Sequence, residues 1–418
     1  MTLSKVEENI GTKSPLPQGW RWVRLGDVAR VFAGSAAPQG KEFFDTTGPP
    51  FVRVSDLGKY KRTTCLVNMQ DKLSTKAIDE YSLVLAQKGS ILFPKSGAAI
   101  GTNNRAILGT DAYIVSHLMA VEPSSETTSL WLYWVLLQLD MLDFSDNIAY
   151  PSLKQSTVQS IKIPLPPLTE QKHIAHILNE RMALVEKART AAEARLESAK
   201  ALPAAYLRQV FPQLSQALPL GWRWARLGDV FDVKQGVAMS PLRRQGVAPR
   251  PFLRTLNVLW GFVDLSNLDK MSFTDDEVTS LNLRNGDLLV CEGGDVGRTA
   301  IWRGKLDVCL YQNHVHRLRR RNDSIIPDFY LYWMQVAFKV FQSYKGKEIT
   351  TTIPNLSGGQ LKSFLMPLPP TNEQKRIASL LSEKIVAVEK TVQTLQQELE
   401  TINALPAALL RRAFAGGL

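Results

Sequence analysis

The chain is poor in the features that would place it in a membrane, a disulfide framework or a metalloprotein. Its three cysteines, Cys65, Cys291 and Cys309, form no CxxC pair that could hold a metal and no even set that suggests a disulfide framework. No apolar run approaches the roughly 18 residues that a membrane span needs, and the first residues lack the apolar core of a secretion signal. We therefore expect a cytoplasmic protein with reduced thiols.

Motifs of the common nucleotide-dependent enzymes are also missing. There is no GxxxxGK[ST] loop for ATP, no GxGxxG turn for a dinucleotide, and no Asn/Asp-Pro-Pro-aromatic loop of the kind that an adenine methyltransferase needs. The 5 histidines form two close pairs, His173 with His176 and His314 with His316, without the further ligands that zinc requires. We expect this chain to hold no metal and no cofactor of its own.

The charge balance favours a polyanionic partner. The 50 lysines and arginines outnumber the 39 aspartates and glutamates, which gives a formal net charge of +11. The excess is uneven, because residues 213–363 contain 20 basic and 14 acidic side chains, whereas residues 16–160 contain 14 and 13. The second half therefore carries more of the net positive charge.

The sequence contains one long internal repeat. Its opening, LPQGWRWVRLGDVARV, returns 202 residues later as LPLGWRWARLGDVFDV, with 12 of 16 positions identical. An offset of about half the chain indicates a tandem duplication of two domains and not a solenoid. The three repeated pairs are residues 16–31 with 218–233, residues 163–178 (IPLPPLTEQKHIAHIL) with 366–381 (MPLPPTNEQKRIASLL), and residues 202–211 with 405–414.

Between these shared segments the two halves differ strongly and keep only a common pattern. KGSILFPKSGAAIG at 88–101 corresponds to NGDLLVCEGGDVG at 285–297, and each predicts a short apolar strand followed by a glycine-rich turn. We interpret these glycines mainly as structural turns. The two halves are therefore predicted to share one fold while most of the side chains between the repeated segments differ.

After each Pro-Leu-Pro-Pro run the pattern predicts a helix of about thirty residues, roughly 45 Å long. Apolar residues step by alternating four and three positions, which is the a/d spacing of a coiled coil, and in the first helix Arg189, Ala192 and Ala199 occupy the same register. Such narrow stripes favour two helices that pack on each other. The seam residues are Leu178, Met182, Val185 and Leu196 in the first helix and Leu381, Ile385, Val388, Val392, Leu395, Leu399 and Ile402 in the second.

One enzyme interpretation uses the glutamates of the two EQK motifs, Glu170 and Glu373. The motif resembles the E-x-K half of a metal-dependent nuclease site, which also needs an upstream aspartate. No aspartate occupies equivalent positions in both copies, and here the motif opens a helix, whereas such sites normally lie on a strand. A nuclease remains the alternative to a binding function.

Basic and polar segments of the second half are candidates for contact with a polyanion. Arginines concentrate in HRLRRR at 316–321 and in PLRRQGVAPRPFLR at 241–254, and guanidinium groups match phosphates and guanine edges. The segment KGKEITTTIPN at 345–355 mixes lysines with small polar side chains before a short helix. Its counterpart, NIAYPSLK at 147–154, is less basic.

The paired LPxGWRWxRLGDV openings, PLPPxxEQKxIAxxL helix starts and ALPAAxLRxxF ends resemble the specificity subunit of type I restriction-modification systems. They cover the whole chain in the order of that family. The resemblance implies an α+β fold in which two target-recognition domains are separated by two long antiparallel coiled-coil helices with pseudo-two-fold symmetry. Each domain would read one half of a split, asymmetric DNA sequence, and the helices would set the unread gap.

The resemblance also implies a division of labour. Double-stranded DNA, two adenine methyltransferase subunits and two restriction/translocase subunits are the expected partners, and S-adenosylmethionine, ATP and Mg²⁺ are expected on those subunits. The expected organisation is a leader at 1–15, recognition domains at 16–160 and 213–363, and spacer helices at 161–212 and 364–418.

The DNA-binding residues are chosen from side-chain chemistry, since contact positions do not transfer between members of the family. Such side chains can contact phosphates or hydrogen-bond to base edges. The candidates are Lys95, Ser96, Asn103, Asn104, Arg105, Tyr150, Ser152 and Lys154 in the first domain, and Arg243, Arg244, Arg298, Asn313, Lys345, Lys347, Thr351 and Asn355 in the second.

Overall fold

A computed structural model describes residues 16–59, 65–145, 147, 149–344, 349–350 and 354–418, with the backbone alone for 58–59, 349–350 and 354–355. The chain divides into two compact units. One contains the sequence up to Ala192 together with Glu398–Leu418, and the other contains Glu193–Gln397. No helix within the described ranges is both long and apolar enough to cross a membrane.

The first unit combines small sheets with short helices. Its strands are β1 (Arg21–Arg24), β2 (Ala29–Ala33), β3 (Phe44–Val52), β4 (Cys65–Leu66), β5 (Asp71–Leu73), β6 (Leu85–Ala86), β7 (Ile91–Pro94), β8 (Ala106–Leu108), β9 (Ala112–Ile114), β10 (Leu118–Pro123) and β11 (Lys162–Leu165). Its helices are α1 (Leu25–Val28), α2 (Val54–Lys59), α3 (Thr75–Glu80), α4 (Ser129–Gln138), α5 (Gln155–Gln159) and the first part of the long helix α6 (Leu168–Val210). Helical 3-10 turns cover Lys41–Phe43, Ala98–Thr102 and Met141–Phe144.

Three sheets build this unit. A five-stranded sheet has the order β2-β10-β7-β8-β4, and a four-stranded sheet has the order β5-β3-β9-β6. The repeated opening forms β1, which pairs antiparallel with β11, the strand just before the long helix. The repeated segments at the two ends of the domain therefore pair with each other through β1 and β11.

The second unit repeats this plan. Its strands are β12 (Arg223–Arg226), β13 (Phe231–Gln235), β14 (Arg250–Leu253), β15 (Asp269–Met271), β16 (Leu288–Cys291), β17 (Thr299–Ile301), β18 (Leu310–Tyr311), β19 (Val315–Arg320), β20 (Ile349–Thr350), β21 (Pro354–Asn355) and β22 (Leu365–Leu368). Its helices are α7 (Leu227–Val230), α8 (Pro241–Arg244), α9 (Asp275–Leu281), α10 (Pro327–Gln335), α11 (Gly358–Ser363) and most of the long helix α12 (Thr371–Phe414). A 3-10 turn covers Thr255–Asn257, and a π-helical turn, Val336–Val340, continues α10.

The sheet order of the second unit matches that of the first at the equivalent strands. A four-stranded sheet has the order β13-β19-β16-β17, as β2-β10-β7-β8 do in the first unit, and β12 pairs with β22 as β1 pairs with β11. A smaller sheet has the order β15-β14-β18. The duplication seen in the sequence is thus a duplication of topology.

Local sequence explains where the helices begin. Thr128 Oγ1 accepts a hydrogen bond from Trp131 N at 3.2 Å and caps α4, and Ser357 Oγ accepts from Gln360 N at 3.3 Å and caps α11. The two long helices begin directly after Pro-Pro, where the ring fixes φ and the missing N–H costs nothing.

The long helices are 43 and 44 residues, about 65 Å each, so the predicted length of about thirty residues was too short. The repeated LPAA segments continue each helix through Pro203 and Pro406, although proline removes one helical hydrogen bond. The residues beyond each proline are held by tertiary packing, which overrides the local preference. Leu207 and Leu410 are both 5% exposed or less.

Each domain core contains the beginning of one long helix and the end of the other. In the first unit Phe414 of α12 packs on Trp131 of α4 with ring centroids 5.3 Å apart. In the second unit Phe211, which follows α6, packs on Phe329 of α10 at 5.1 Å and on Trp333 at 5.8 Å. The two helices therefore run antiparallel, as the sequence predicts.

The predicted seam is the less exposed stripe of both helices. The eleven apolar residues of this seam are all buried or partly buried, while positions such as Leu184 and Val386, outside the stripe, are 66% and 59% exposed. Arg189 occupies the seam with only 13% of its side chain exposed and forms an ion pair with Glu186. The predicted α+β fold, with two domains and two long helices, is confirmed. The predicted domain boundaries at 160/161, 212/213 and 363/364 stay predictions.

Candidate nucleic-acid interface

The EQK motif at the start of each long helix joins that helix to its domain. Gln171 is fully buried, accepts a hydrogen bond from Thr128 N at 3.1 Å and donates to Pro166 O at 3.0 Å. Gln374 repeats both contacts, with Ile326 N at 3.0 Å and Pro369 O at 2.9 Å. The central glutamine is therefore a structural clamp.

The two glutamates of the motif also have structural partners. Trp20 Nε1 donates to Glu170 Oε1 at 2.9 Å, and Glu373 receives two hydrogen bonds from Arg376, at 2.7 and 2.8 Å. The Arg376 guanidinium lowers the pKa of the Glu373 carboxyl. In the part of the chain that the structure describes, no group of three His, Cys, Asp or Glu side chains could hold a metal.

One strand in each unit runs from a polar loop cluster to this helix junction. In the first unit β10 begins after His117 and is followed by Glu126, whose carbonyl accepts from Gln171 Nε2 at 3.0 Å. In the second unit β19 begins after His314 and leads to Ile326. A strand of six residues is about 20 Å long. The divergent polar loops and the repeated segments therefore lie at opposite ends of the same strands.

The loop cluster of the first unit, here the first tip, consists of residues 95–97, 116–117 and 150–152. Lys95 N donates to His117 O at 2.9 Å, and Leu153 N donates to Lys95 O at 2.8 Å. Gly97 N donates to Pro151 O at 2.8 Å, and Ser96 bridges Ser152 in antiparallel fashion. Three segments far apart in sequence thus form one surface.

The second tip consists of residues 292–294, 313–314 and 354–356. Glu292 N donates to His314 O at 2.9 Å, and Leu356 N donates to Glu292 O at 2.9 Å. These two bonds are the equivalents of those at Lys95, so both tips have the same backbone frame. The side chain at the centre of that frame is a cation in one tip and an anion in the other.

Five of the eight residues predicted in the first domain belong to the first tip or lie next to it. Tyr150 is 83% exposed, Ser152 and Lys154 are exposed, and Lys95 and Ser96 are partly exposed. The cluster therefore presents a hydroxyl, an amine and an aromatic ring together, which are groups able to contact phosphates and bases. That they bind DNA stays a prediction.

The other three, Asn103, Asn104 and Arg105, lie away from that surface. Arg105 is 2% exposed, with its guanidinium 5.0 Å from the centre of the Phe93 ring, and Asn104 is 9% exposed. Asn103 Nδ2 donates to Leu137 O at 2.9 Å. Burial lowers the pKa of Arg105 to about 9. The core encloses the Arg105 side chain in this structure, and its contact with DNA stays an untested prediction.

In the second domain the predicted arginines are bound to other parts of the domain. Arg243 forms two hydrogen bonds of 2.8 Å with Glu277, which raise the pKa of Arg243. Arg244 lies 3.7 Å from Asp269 and keeps half its side chain exposed, and Arg298 Nη2 donates to Thr255 O at 2.6 Å. The geometry leaves Arg244 as the most accessible of these three.

Asn313 lies in the second tip and is partly exposed. Asn355 also belongs to this tip, where only its backbone is described. The predictions for Lys345, Lys347 and Thr351 lie outside the described residues. All five stay predictions.

The HRLRRR run is largely internal. Arg317 is 2% exposed and pairs with Asp232, and Arg319 forms hydrogen bonds of 2.9 and 2.7 Å with Asp287. His316 is fully buried. Alternation along β19 places these side chains on both faces of a central strand. Much of the positive charge that suggested polyanion binding is neutralised inside the domain.

Three kinds of residue in these sites were not predicted from the sequence, namely the clamping glutamines, His117 and Glu292. The glutamines carried a usable signal, because they lie in the EQK motif that is identical in both copies. Glu292 had none, since its role depends on a loop packed against it from elsewhere in the chain.

Known proteins resemble the whole chain. The model of the type I restriction modification DNA specificity domain matches residues 17–193 and again 219–403. The specificity subunit of the type I restriction enzyme EcoKI of Escherichia coli (strain K12) is 24% identical over 96% of this chain and 90% of its own length. The MjaIX specificity subunit of Methanocaldococcus jannaschii is 30% identical over 36% of this chain and 35% of its own length.

Solved structures share the fold. A chain from a study of complex assembly and conformational transition of the type I R-M system superposes with a TM-score of 0.73, at 23% identity, and the alignment covers 97% of this chain and all of that one. The HsdS subunit from Thermoanaerobacter tengcongensis gives 0.65 at 22% identity, covering 97% and 99%. With a matching domain in each half, the chain belongs to the type I restriction modification DNA specificity family.

Proposed function

We propose that this chain is the non-catalytic DNA-recognition subunit of a type I restriction-modification complex, and that each domain reads one half of a split, asymmetric target. The observation that supports the proposal most directly is the likeness and the difference between the first tip and the second tip. Their backbone hydrogen bonds are equivalent, but their central side chains are Lys95 and Glu292. Two copies of one frame with different side chains suit the reading of two different base sequences.

The repeated segments serve assembly. The sequences at the helix junctions share 10 of 16 residues between residues 163–178 and 366–381, so two identical methyltransferase subunits could dock in equivalent ways. Restriction/translocase subunits would join that complex. The catalytic residues, S-adenosylmethionine, ATP and Mg²⁺ belong to these partners in the proposal, and the complex would work in the cytoplasm. A complex that only modifies DNA, or that serves another phage-defence system, would use the same recognition chain.

The test is to map N6-methyladenine in DNA from cells that express the chain with its cognate methyltransferase. We expect methylation at a single split motif with a fixed unread gap. Exchanging residues 16–160 for the corresponding domain of another family member should then change one half of the motif and preserve the other. A stable complex that methylates no split motif would contradict the proposal.

The competing nuclease function has its own test. Alanine at both Glu170 and Glu373 should leave DNA cleavage by the assembled complex chemically intact, after correction for any loss of folded protein. Abolished cleavage by a fully folded double variant would favour a nuclease site in this chain.

A further inference from the structure

We infer that His117 and His314 are equivalent base-edge contacts of the two tips, and that Glu292 is a positioning residue that restricts which bases His314 accepts. The inference rests on the proposed function and adds particular residues to it. Each histidine precedes the first residue of an interior strand of its sheet, β10 or β19, and each carbonyl receives the tip hydrogen bond of 2.9 Å from the residue after the neighbouring strand.

Both histidines are exposed on turns that backbone hydrogen bonds hold to a neighbouring segment. His117 is exposed, and 53% of the His314 side chain is exposed. The residues just before them donate backbone hydrogen bonds, Ser116 N to Ser35 O at 2.6 Å and Asn313 N to Val237 O at 3.0 Å. An exposed imidazole on a fixed backbone can contact a base edge without a large loss of conformational freedom.

The two imidazoles have different neighbours. Ser96 Oγ lies 2.6 Å from His117 Nδ1, whereas Glu292 Oε2 lies 3.4 Å from His314 Nδ1. The Glu292 side chain is 7% exposed, and Gln235 Nε2 donates both to its Oε2 at 3.0 Å and to Asn313 O at 2.8 Å. The buried carboxylate is therefore locked to the turn that carries His314.

This difference controls the hydrogen-bonding character of the free nitrogen. An ionised carboxylate only accepts, so it favours the hydrogen on Nδ1 of His314 and leaves Nε2 as an acceptor in the neutral ring. In the major groove an acceptor matches the amino group of adenine or cytosine. The Ser96 hydroxyl can donate or accept, so His117 is free to present either a donor or an acceptor.

The experiment uses the full chain in complex with its methyltransferase and reads the methylated motif. We expect His314→Ala to lower discrimination about tenfold or more at one A- or C-containing position of one half-site, with the other half-site unchanged. His117→Ala should relax one position of the opposite half-site only. Glu292→Gln should broaden the same position as His314→Ala, because an amide can donate as well as accept.

The exposed Lys305, away from the second tip, supplies the matched control. Lys305→Ala should leave both half-sites unchanged. Unfolding temperatures of all variants distinguish a specificity effect from misfolding, and His314→Ala decides the matter if Glu292→Gln does not fold.

Two results would overturn the inference while leaving the proposed function in place. One is a folded His314→Ala complex with unchanged base preferences. The other is equal weakening on all sequences with a flatter salt dependence, which would mark a phosphate contact. A wild-type complex without a split motif would instead remove the proposed function, and the inference with it.

Discussion

At the scale of single residues, the buried side-chain amides of Gln171 and Gln374 hold each long helix to its domain. Gln374 satisfies one backbone N–H and one backbone carbonyl from different segments, and Gln171 satisfies one backbone N–H and the carbonyls of Glu126 and Pro166. A buried polar group without a partner costs about 1 to 3 kcal/mol, so these contacts matter more when they are removed than their net strength suggests.

Replacing Gln374 by leucine should lower the free energy of unfolding of the second unit by about 2 to 4 kcal/mol, because Ile326 N and Pro369 O both lose their partner. Thermal unfolding of the full chain measures the change. The neighbouring Lys375 is exposed, and Lys375→Ala serves as the control that should change little. Equal unfolding temperatures for the two variants would contradict the clamp.

His316 makes the stability of the second unit depend on pH. Burial lowers the pKa of His316, opposed by its hydrogen bond to Leu356 O and by Glu292, while His314 and Lys362 also lower it. The unfolded chain therefore binds a proton near pH 6.5 that the folded chain does not, and stability falls as the pH drops below that value.

The expected slope from this one group is at most about 1.4 kcal/mol per pH unit. His316→Gln keeps a donor for Leu356 O but does not titrate, so its unfolding temperature should fall less between pH 6.5 and about pH 5. His173→Gln, at an exposed histidine on α6, should follow the wild-type curve. Parallel curves for His316→Gln and wild type would show that His316 does not control this dependence.

At the scale of elements, the tips depend on close backbone contacts beside the central strands. A Cβ added at Gly34 would lie 2.2 Å from Ile114 O, and one added at Gly236 would lie 2.1 Å from Tyr311 O. Both glycines occupy the same place in the repeat, just after β2 and β13. They allow the following segment to bond to the turn that carries the exposed histidine.

Gly236→Ala should therefore destabilise the second unit by about 2 kcal/mol or more, because a backbone carbonyl must move. In the methylation assay it should weaken recognition of one half-site only. Gly359→Ala is the matched control, since that glycine lies within α11 with its nearest neighbouring atom 3.9 Å away, and alanine is the better helix former there. A folded Gly236→Ala protein with wild-type stability would contradict the steric argument.

At the scale of the whole molecule, the long helices are suited to set the distance between the half-sites. The two compact units divide within the helices, at Ala192/Glu193 and Gln397/Glu398. Seven residues inserted at both places keep the seam register and add about 10 Å of helix. Since a turn of DNA of about 10 base pairs spans about 34 Å, we expect the unread gap to lengthen by about three base pairs.

Mapping the methylated motif of this double insertion measures the gap directly. Insertion of three residues instead breaks the four-three spacing of the seam and should reduce the yield of folded protein. If the variant with seven residues inserted in each helix folds and its unread gap is unchanged, the helices do not set the distance between the half-sites.

The repeat and the seam could be predicted because both depend only on the order and spacing of residues along the sequence. The tip could not, since the pairing of Ser96 with Ser152 depends on how distant segments pack. The same limit applies to Arg243, whose partner Glu277 lies on another helix, and to Arg105, which a rule of exposed arginines places on the surface. Side-chain chemistry identified plausible groups, whereas only the fold distinguishes surface groups from internal ones.

Each domain core contains the end of the long helix that begins in the other domain. The order of protein synthesis therefore determines when each core can be completed. Trp131 emerges from the ribosome early, but Phe414, which packs against it, is made only after the whole second unit. The first domain therefore cannot complete its core until the second unit has been synthesised, and a product interrupted before that point keeps that apolar surface open to chaperones and proteases. A cell that makes this chain therefore obtains a completely folded first domain only together with the second domain.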